Sequence, residues 1–288
     1  MLRSLTSAIS GLQSLQQRMD VIGNNVANVN TTAFKGARVN LADSFSQTLR
    51  SSSAGNGTNS GTPAIQIGSG VVIQAISNVY LQGALTRTGV GTDLAITGEG
   101  FFVVRDTINN STYVTRAGDF RMDETGFLVT NNGLRVQGYS DAGLTTLGDI
   151  QIDITGMPAT SDPTATMVSF AISDDGRINV NLSDGTQFVR GQLLMQTFND
   201  PQGLMKEGNN LYSGIGAAGP LGGAATPTPA PPGTNGMGKI QSGALELSNV
   251  DLASEFTNLI TTQRAYQANA RVITTSDEML QELVNLKR

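Results

Sequence analysis

Apolar residues recur at alternating spacings of three and four at both ends of the chain. At the front the pattern is Leu5, Ala8, Leu12, Leu15, Met19, Ile22, Val26 and Val29. At the back it is Leu252, Phe256, Leu259, Gln263, Tyr266, Ala270, Ile273, Asp277, Leu280 and Val284, with Gln263 and Asp277 as polar interruptions. A repeat averaging about 3.5 residues keeps one stripe of a helix turned towards a partner helix. The first helix is expected over residues 4–29 with Ser4 as its N-cap. Gly23, Asn24, Asn25 and Asn28 are poor helix formers and are expected to bend or fray its last turns. The last helix is expected from a cap at Asn249 or Asp251 to about Leu286, a length of about 55 Å.

Between these ends the pattern changes to short apolar runs separated by turns. Val71–Ile76, Leu94–Ile96 and Phe101–Val104 read as strands, the last leading through Asp106–Asn110 into Tyr113–Thr115 as a hairpin. Turn signals recur at Asp123–Gly126, Asn131–Gly133, Asp174–Gly176 and Ser183–Gly185. Many strands at this spacing predict a compact antiparallel sandwich or barrel-like body. Residues 34–49 read as an extended or partly helical arm. Residues 51–62 have the composition of a flexible linker, and residues 214–238, with eight Gly and five of the nine Pro, that of an irregular return loop. The expected fold class is therefore α+β. Residues 1–30 and 246–288 form a helical base, 31–70 a linker arm, and 71–245 a central all-β domain whose sequence interrupts that base.

Composition narrows the function. Of 288 residues only 14% are charged, so the polar surface is built from Ser, Thr, Asn, Gln and Gly. Such a surface fits extensive contact with neighbouring subunits. A net charge of −5 without a basic cluster argues against nucleic acid. There is no His, Cys or Trp, which removes imidazole acid–base chemistry, thiol nucleophiles, disulfides and the common Zn, Cu and haem ligand sets. No apolar run is long enough for membrane insertion. Leu5–Leu15 is interrupted by Ser7, Ser10, Gly11, Gln13 and Ser14, so it reads as an amphipathic helix and not as a cleaved signal peptide.

The candidate sites reduce to turns. Gly98-Glu99-Gly100 follows a strand as a dinucleotide turn does, but Phe101–Val104 is itself a strand, so no helix N-terminus meets a phosphate. Asp174-Asp175 and Asp119–Asp123 sit beside Gly in turn contexts, without calcium-loop spacing. Lys35 and Lys206 have no partner in the sequence that would mark a nucleophilic amine. No catalytic, cofactor or metal site is expected, nor an enzyme. An adhesin with helical stalks would need an aromatic platform, which five Tyr and no Trp supply poorly. The terminal seams remain as the functional elements: an intramolecular helical hairpin, or surfaces that order on assembly with other copies.

Three groups of motifs carry a resemblance. Ser7–Gly11, Met19–Asn25, Ala27–Asn30 and Phe34-Lys35 form the first. Thr92–Val104 and Tyr113–Phe120 form the second, and Leu247–Val250, Thr262–Tyr266 and Ile273–Leu280 the third. Together they closely resemble the bacterial flagellar rod and hook proteins, with Gly23, Asn24, Asn25, Phe34, Lys35, Gly98, Gly100 and Phe101 as motif residues. The resemblance implies an axial tube of identical subunits whose terminal helices line an export channel, with the β domain outside. It implies type III export and residence in the basal body or hook outside the cell. The implied partners are further copies, other axial proteins of the rod, hook–filament junction and hook cap, and the export apparatus. Residues 276–288 and 250–256 look more like the hook, giving a compact hook subunit with one outer β domain that acts as a flexible universal joint. Gln66–Gly70 and Asn199–Tyr212 look like the distal rod, the alternative.

Overall fold

A computed structural model describes residues 2–52, 54–55, 60–158, 161–162, 164–221 and 228–286. The chain divides into two compact units. Unit 1 comprises residues 1–28, 36–79 and 250–288; unit 2 comprises 29–35 and 80–249. Helices α1 (Leu2–Ala27) and α2 (Leu252–Leu286) belong to unit 1, with strands β1 (Ala37–Asp43), β2 (Ser46–Arg50), β3 (Ile65–Gly68) and β4 (Val71–Asn78). Unit 2 holds β5 (Leu85–Arg87), β6 (Leu94–Thr97), β7 (Phe101–Arg105), β8 (Thr112–Thr115), β9 (Phe120–Met122), β10 (Leu128–Thr130), β11 (Arg135–Tyr139) and β12 (Leu147–Asp149). It continues with β13 (Met167–Ile172), β14 (Arg177–Leu182), β15 (Gln187–Leu193), β16 (Met195–Gln196), β17 (Met205–Gly208), β18 (Leu211–Ser213), β19 (Lys239–Ser242) and β20 (Ala244–Glu246). The architecture is α+β with an all-antiparallel β component.

In unit 1 the helices run antiparallel. Gly11 faces Asn269, and Asn25 faces Glu255 at the other end of the pair. α1 also packs on β1 and β4, which pair from Ala37↔Asn78 to Asp43↔Val71 with a bulge at Asn40/Leu41. β2 and β3 form a second ladder, Ser46↔Gly68 to Arg50↔Ile65. The stretch expected as a linker arm thus contains two strand pairings. Val71–Asn78, expected in the central domain, pairs with β1 in unit 1. The ladder lies beside α1, and Val71 N–H donates to Ser10 Oγ on α1 (3.3 Å).

Two local expectations change. Ser4 is not the N-cap, because α1 already begins at Leu2. The Asn-rich end of α1 does not fray. Buried Asn25 accepts a hydrogen bond from Ala37 N–H (3.0 Å) and donates from Nδ2 to Ala37 O (2.8 Å) and Glu255 Oε1 (3.4 Å). Asn28 Nδ2 donates to Asn24 O and Oδ1 (2.9 and 2.8 Å). Amide side chains that compete with a helix from within serve as its fastening when placed at its end. α2 starts on Asp251, whose Oδ1 accepts from Ala253 N–H (3.0 Å).

Unit 2 is built on a sheet with the strand order β13-β14-β15-β11-β7-β8-β18-β17. β7 is central, and apolar residues cover both its faces. Phe102 and Val104 enter a core with Leu94, Ile96, Leu128, Val136, Ile150, Ile178 and Leu193. Phe101 and Val103 enter a second core with Val114, Phe198, Leu204 and Tyr212. That explains the unbroken apolar run Phe101–Val104, since a strand buried on both faces has no reason to alternate. The expected turns form with left-handed glycines at Gly126, Gly133, Gly176 and Gly185. Gly98 and Gly100 also have positive φ (111° and 132°), and a Cβ on Gly100 would stand 2.5 Å from Met195 Cε. This turn is shaped by packing. Within residues 214–238, the described parts make isolated bridges, Phe198↔Pro220 and Met195↔Ala230; residues 222–227 lie outside the described residues.

Candidate assembly interface and a buried charge cluster

α1 turns its expected stripe inward. Ala8 and Ile22 are buried, and Leu5, Leu12, Leu15, Met19 and Val26 are half-buried, while Gly23 and Asn24 on the other side are exposed. α2 follows the expected stripe only in part. Leu259, Tyr266, Ala270, Ile273 and Leu280 are half-buried, but Leu252, Phe256, Gln263 and Asp277 are exposed. The row facing α1 is instead Glu255, Thr262, Asn269 and Ser276, one position before the expected Phe256, Gln263, Ala270 and Asp277. Thr262 and Ser276 are buried, at 2% and 3% exposure.

A polar seam costs little because its hydroxyls are satisfied within their own helices. Thr262 Oγ1 donates to Asn258 O (2.6 Å), Ser276 Oγ to Val272 O (2.7 Å) and, on α1, Ser14 Oγ to Ser10 O (2.8 Å). Small side chains then let the backbones approach. A Cβ on Gly11 would lie 2.8 Å from Asn269 Nδ2. The signal was in the sequence, as Thr262, Asn269 and Ser276 repeat every seven residues, but an apolar criterion passes over it.

The turn of the seam leaves apolar side chains uncovered. Phe256, Ile260, Val272, Met279, Val284 and Leu286 are all exposed by 42% or more. α2 has 35 residues against 26 in α1. With Gly11 opposite Asn269, the last two turns of α2, about 12 Å, extend past the start of α1. β2 and β3 are likewise exposed, and Phe45, Leu49, Ile65 and Ile67 stand out of this two-stranded ladder.

Unit 2 contains a buried cluster that brings together residues from separate motifs. Lys35 and Glu246 are fully buried and Arg116 nearly so. Lys35 Nζ donates to Glu246 Oε1 (2.6 Å) and Leu81 O (2.8 Å), and Gly83 N–H donates to the same Oε1 (2.8 Å). Arg116 Nη1 lies 3.5 Å from Glu246 Oε2, Nη2 donates to Gly98 O (2.9 Å), and the guanidinium stands over the Phe101 ring. Burial pushes the Lys35 ammonium below its ordinary pKa, and the bond to Glu246 opposes that shift. Lys206, also lowered by burial, donates to Lys35 O (2.9 Å) and stands over the Phe34 ring. Lys35, for which the sequence shows no partner that would mark a nucleophilic amine, pairs with Glu246, 211 residues away. Sequence reasoning missed Arg116 and Glu246 as its companions.

The cluster is closed to any substrate, since every charged atom faces protein. Among the described residues no group of acidic side chains is arranged to hold a metal ion. No described helix is long and apolar enough to cross a membrane. A self-sufficient β body, together with a helical unit that leaves apolar surface uncovered, defines a structural subunit.

Comparison with known proteins gives the class its family. Residues 5–35 match the model of the flagella basal body rod protein, 95–180 that of the flagellar hook protein FlgE/F/G D1 domain, and 241–286 that of the flagellar basal body rod FlgEFG protein C-terminal. The flagellar basal-body rod protein FlgG of Bacillus subtilis is 42% identical over 288 residues, covering 100% of both chains. That of Buchnera aphidicola from Schizaphis graminum is 36% identical, covering 99% of this chain and 100% of its own. The flagellar hook protein FlgE of Borreliella burgdorferi is 27% identical over 449 residues, covering 100% of both. The chain belongs to the flagellar rod and hook axial protein family, whose members are structural parts of the flagellum and are not known as enzymes.

Proposed function

We propose that this chain is a distal rod subunit that polymerises with its own copies into a straight tube, in place of the hook subunit expected from its C-terminal motif. The observation that carries this reading is the β2–β3 ladder. A joint that bends needs slack at 46–68, whereas a rigid shaft needs that segment ordered into contacts. A two-stranded ladder is marginal alone in water, and this one presents Phe45, Leu49, Ile65 and Ile67 to solvent. Neighbouring copies are the natural cover for these residues, and for Phe256, Ile260 and Met279 on α2. The end-to-end match to rod proteins at higher identity than to the hook protein supports the same choice. Its partners then include the adjoining axial proteins and the type III export apparatus.

Electron microscopy of the polymer tests this. Straight tubes that become curved or fail to form when residues 46–68 are replaced by a Gly/Ser linker support the rod. Curved tubes from the unaltered chain return the assignment to the hook, and straight tubes indifferent to the replacement remove the ladder as its support.

A further inference from the structure

Unit 2 places two cations and one anion in one interior site. Lys35 and Arg116 have no carboxylate partner other than Glu246 among the described residues. Glu246 Oε1 is doubly bonded, by Lys35 and by the Gly83 amide. Its Oε2, and Arg116 Nε and Nη1, have no hydrogen-bond partner among the described residues. The site is thus poor in anion. A buried charge stripped of its counter-charge is far more costly than a paired one, so the three residues are unequal. Losing Lys35 leaves a one-to-one pair of Arg116 and Glu246, whereas losing the Glu246 charge leaves two unpaired interior cations.

Glu246 also ties chain segments that are remote in sequence. Its main-chain O accepts from Ala33 N–H (2.8 Å), its side chain holds Lys35 and Gly83, and Leu247 N–H donates to Ala84 O (2.8 Å). It ends β20, the last strand of the unit, paired only with β5.

We infer that Glu246 is the electrostatic keystone of unit 2: the β body closes only when this carboxylate is seated between Lys35 and Arg116, and a chain whose last strand has not arrived stays open. Lys35, Arg116 and Glu246 appear in that order during synthesis, so the counter-charge comes last. This consequence for closure follows from unit 2 alone and does not depend on the rod reading.

The test uses full-length variants and urea titration followed by tyrosine near-ultraviolet circular dichroism. Four of the five tyrosines (Tyr80, Tyr113, Tyr139 and Tyr212) lie in unit 2. Glu246→Gln keeps shape and strand while removing the charge, and should lower the folding equilibrium constant roughly a hundred- to thousandfold. Lys35→Met should lower it less than about tenfold, and Lys35→Met combined with Glu246→Gln should regain at least about tenfold over Glu246→Gln alone, because one unpaired cation remains instead of two. If Glu246→Gln yields no folded unit, a folded double variant supports the inference and an equally unfolded one overturns it. Glu246→Gln within about threefold of the parent, or Lys35→Met as damaging as Glu246→Gln, also overturns it.

Discussion

Replacing Asn25 with Ala tests whether the end of α1 is fastened by a single side chain. Asn25 is 2% exposed, and its amide closes a two-way bond with Ala37 N–H and O while touching Glu255 Oε1. Truncation orphans one donor and one acceptor on Ala37. A fully buried orphan costs about 1–3 kcal/mol, but Ala37 is only half-buried, so water recovers part of the loss. The better helix propensity of Ala returns a few tenths of a kcal/mol. The net expectation is a loss of about 2 kcal/mol, roughly a thirtyfold fall in the folding equilibrium of unit 1. Asn25→Asp should be worse, because its carboxylate can accept from Ala37 N–H but faces Ala37 O and Glu255 without a proton to give. Glu255→Gln should then restore part of the Asp variant's loss. The assay is urea unfolding followed by far-ultraviolet circular dichroism, which reads the helices. An Ala variant within about 0.5 kcal/mol of the parent, the range of an ordinary surface change, or an Asp variant unaffected by Glu255→Gln, would refute the reasoning.

Acid should weaken unit 2 through its turns. Asp141 is lowered to about 2 by the Thr146 and Thr145 amides; Asp123 and Asp184 are lowered first by the hydroxyls of Thr125 and Thr186, and Asp162 by the Thr164 amide. Depressed carboxylates give stability that is present above their unfolded values near pH 4 and lost as pH falls towards 2, so urea midpoints should be level near neutrality and drop below about pH 4; a midpoint rising on acidification would contradict this. Gln263→Ala and Asp277→Ala should change monomer stability by less than about 0.5 kcal/mol, since both side chains are exposed on α2. A larger loss in urea unfolding would place them back in the helix seam.

What could be read in the sequence depended on whether local chemistry or long-range pairing decided the outcome. Periodicity found both helices, because a 26-residue and a 35-residue helix each repeat their pattern many times. Glycine-marked turns were equally legible, as Gly126, Gly133, Gly176 and Gly185 each fix a backbone conformation by themselves. The pairing of β1 with β4 was not, since nothing in Ala37–Asp43 names its partner. On α2 half of the expected stripe, Leu259, Tyr266, Ala270, Ile273 and Leu280, is half-buried, while Phe256, Gln263 and Asp277 stand one position beyond the row that faces α1. Leu252, Phe256 and Val284 are apolar and in step, so they claimed the seam, while the row that occupies it is Glu255, Thr262, Asn269 and Ser276. Lys35 and Phe101 were marked by motif, but Glu246 was unmarked because an isolated acid near a strand end looks like surface until the fold encloses it.

The two units are stabilised by opposite means, and this bears on how such a chain assembles. Unit 2 owns its core: Leu94, Phe102, Val104, Leu193 and Met195 are sealed, and interior Glu246 faces both Lys35 and Arg116. In unit 1 the row of α2 that faces α1 is polar; Thr262 and Ser276 bond within their own helix, and a hydrogen bond between the helices joins Asn25 and Glu255. Gly11 leaves room for the Asn269 side chain at the contact of the two helices. The apolar surface of α2, with Phe256, Ile260 and Met279, stays outside the seam. If the chain polymerises as proposed, that exposed row is where a neighbouring copy would cover α2.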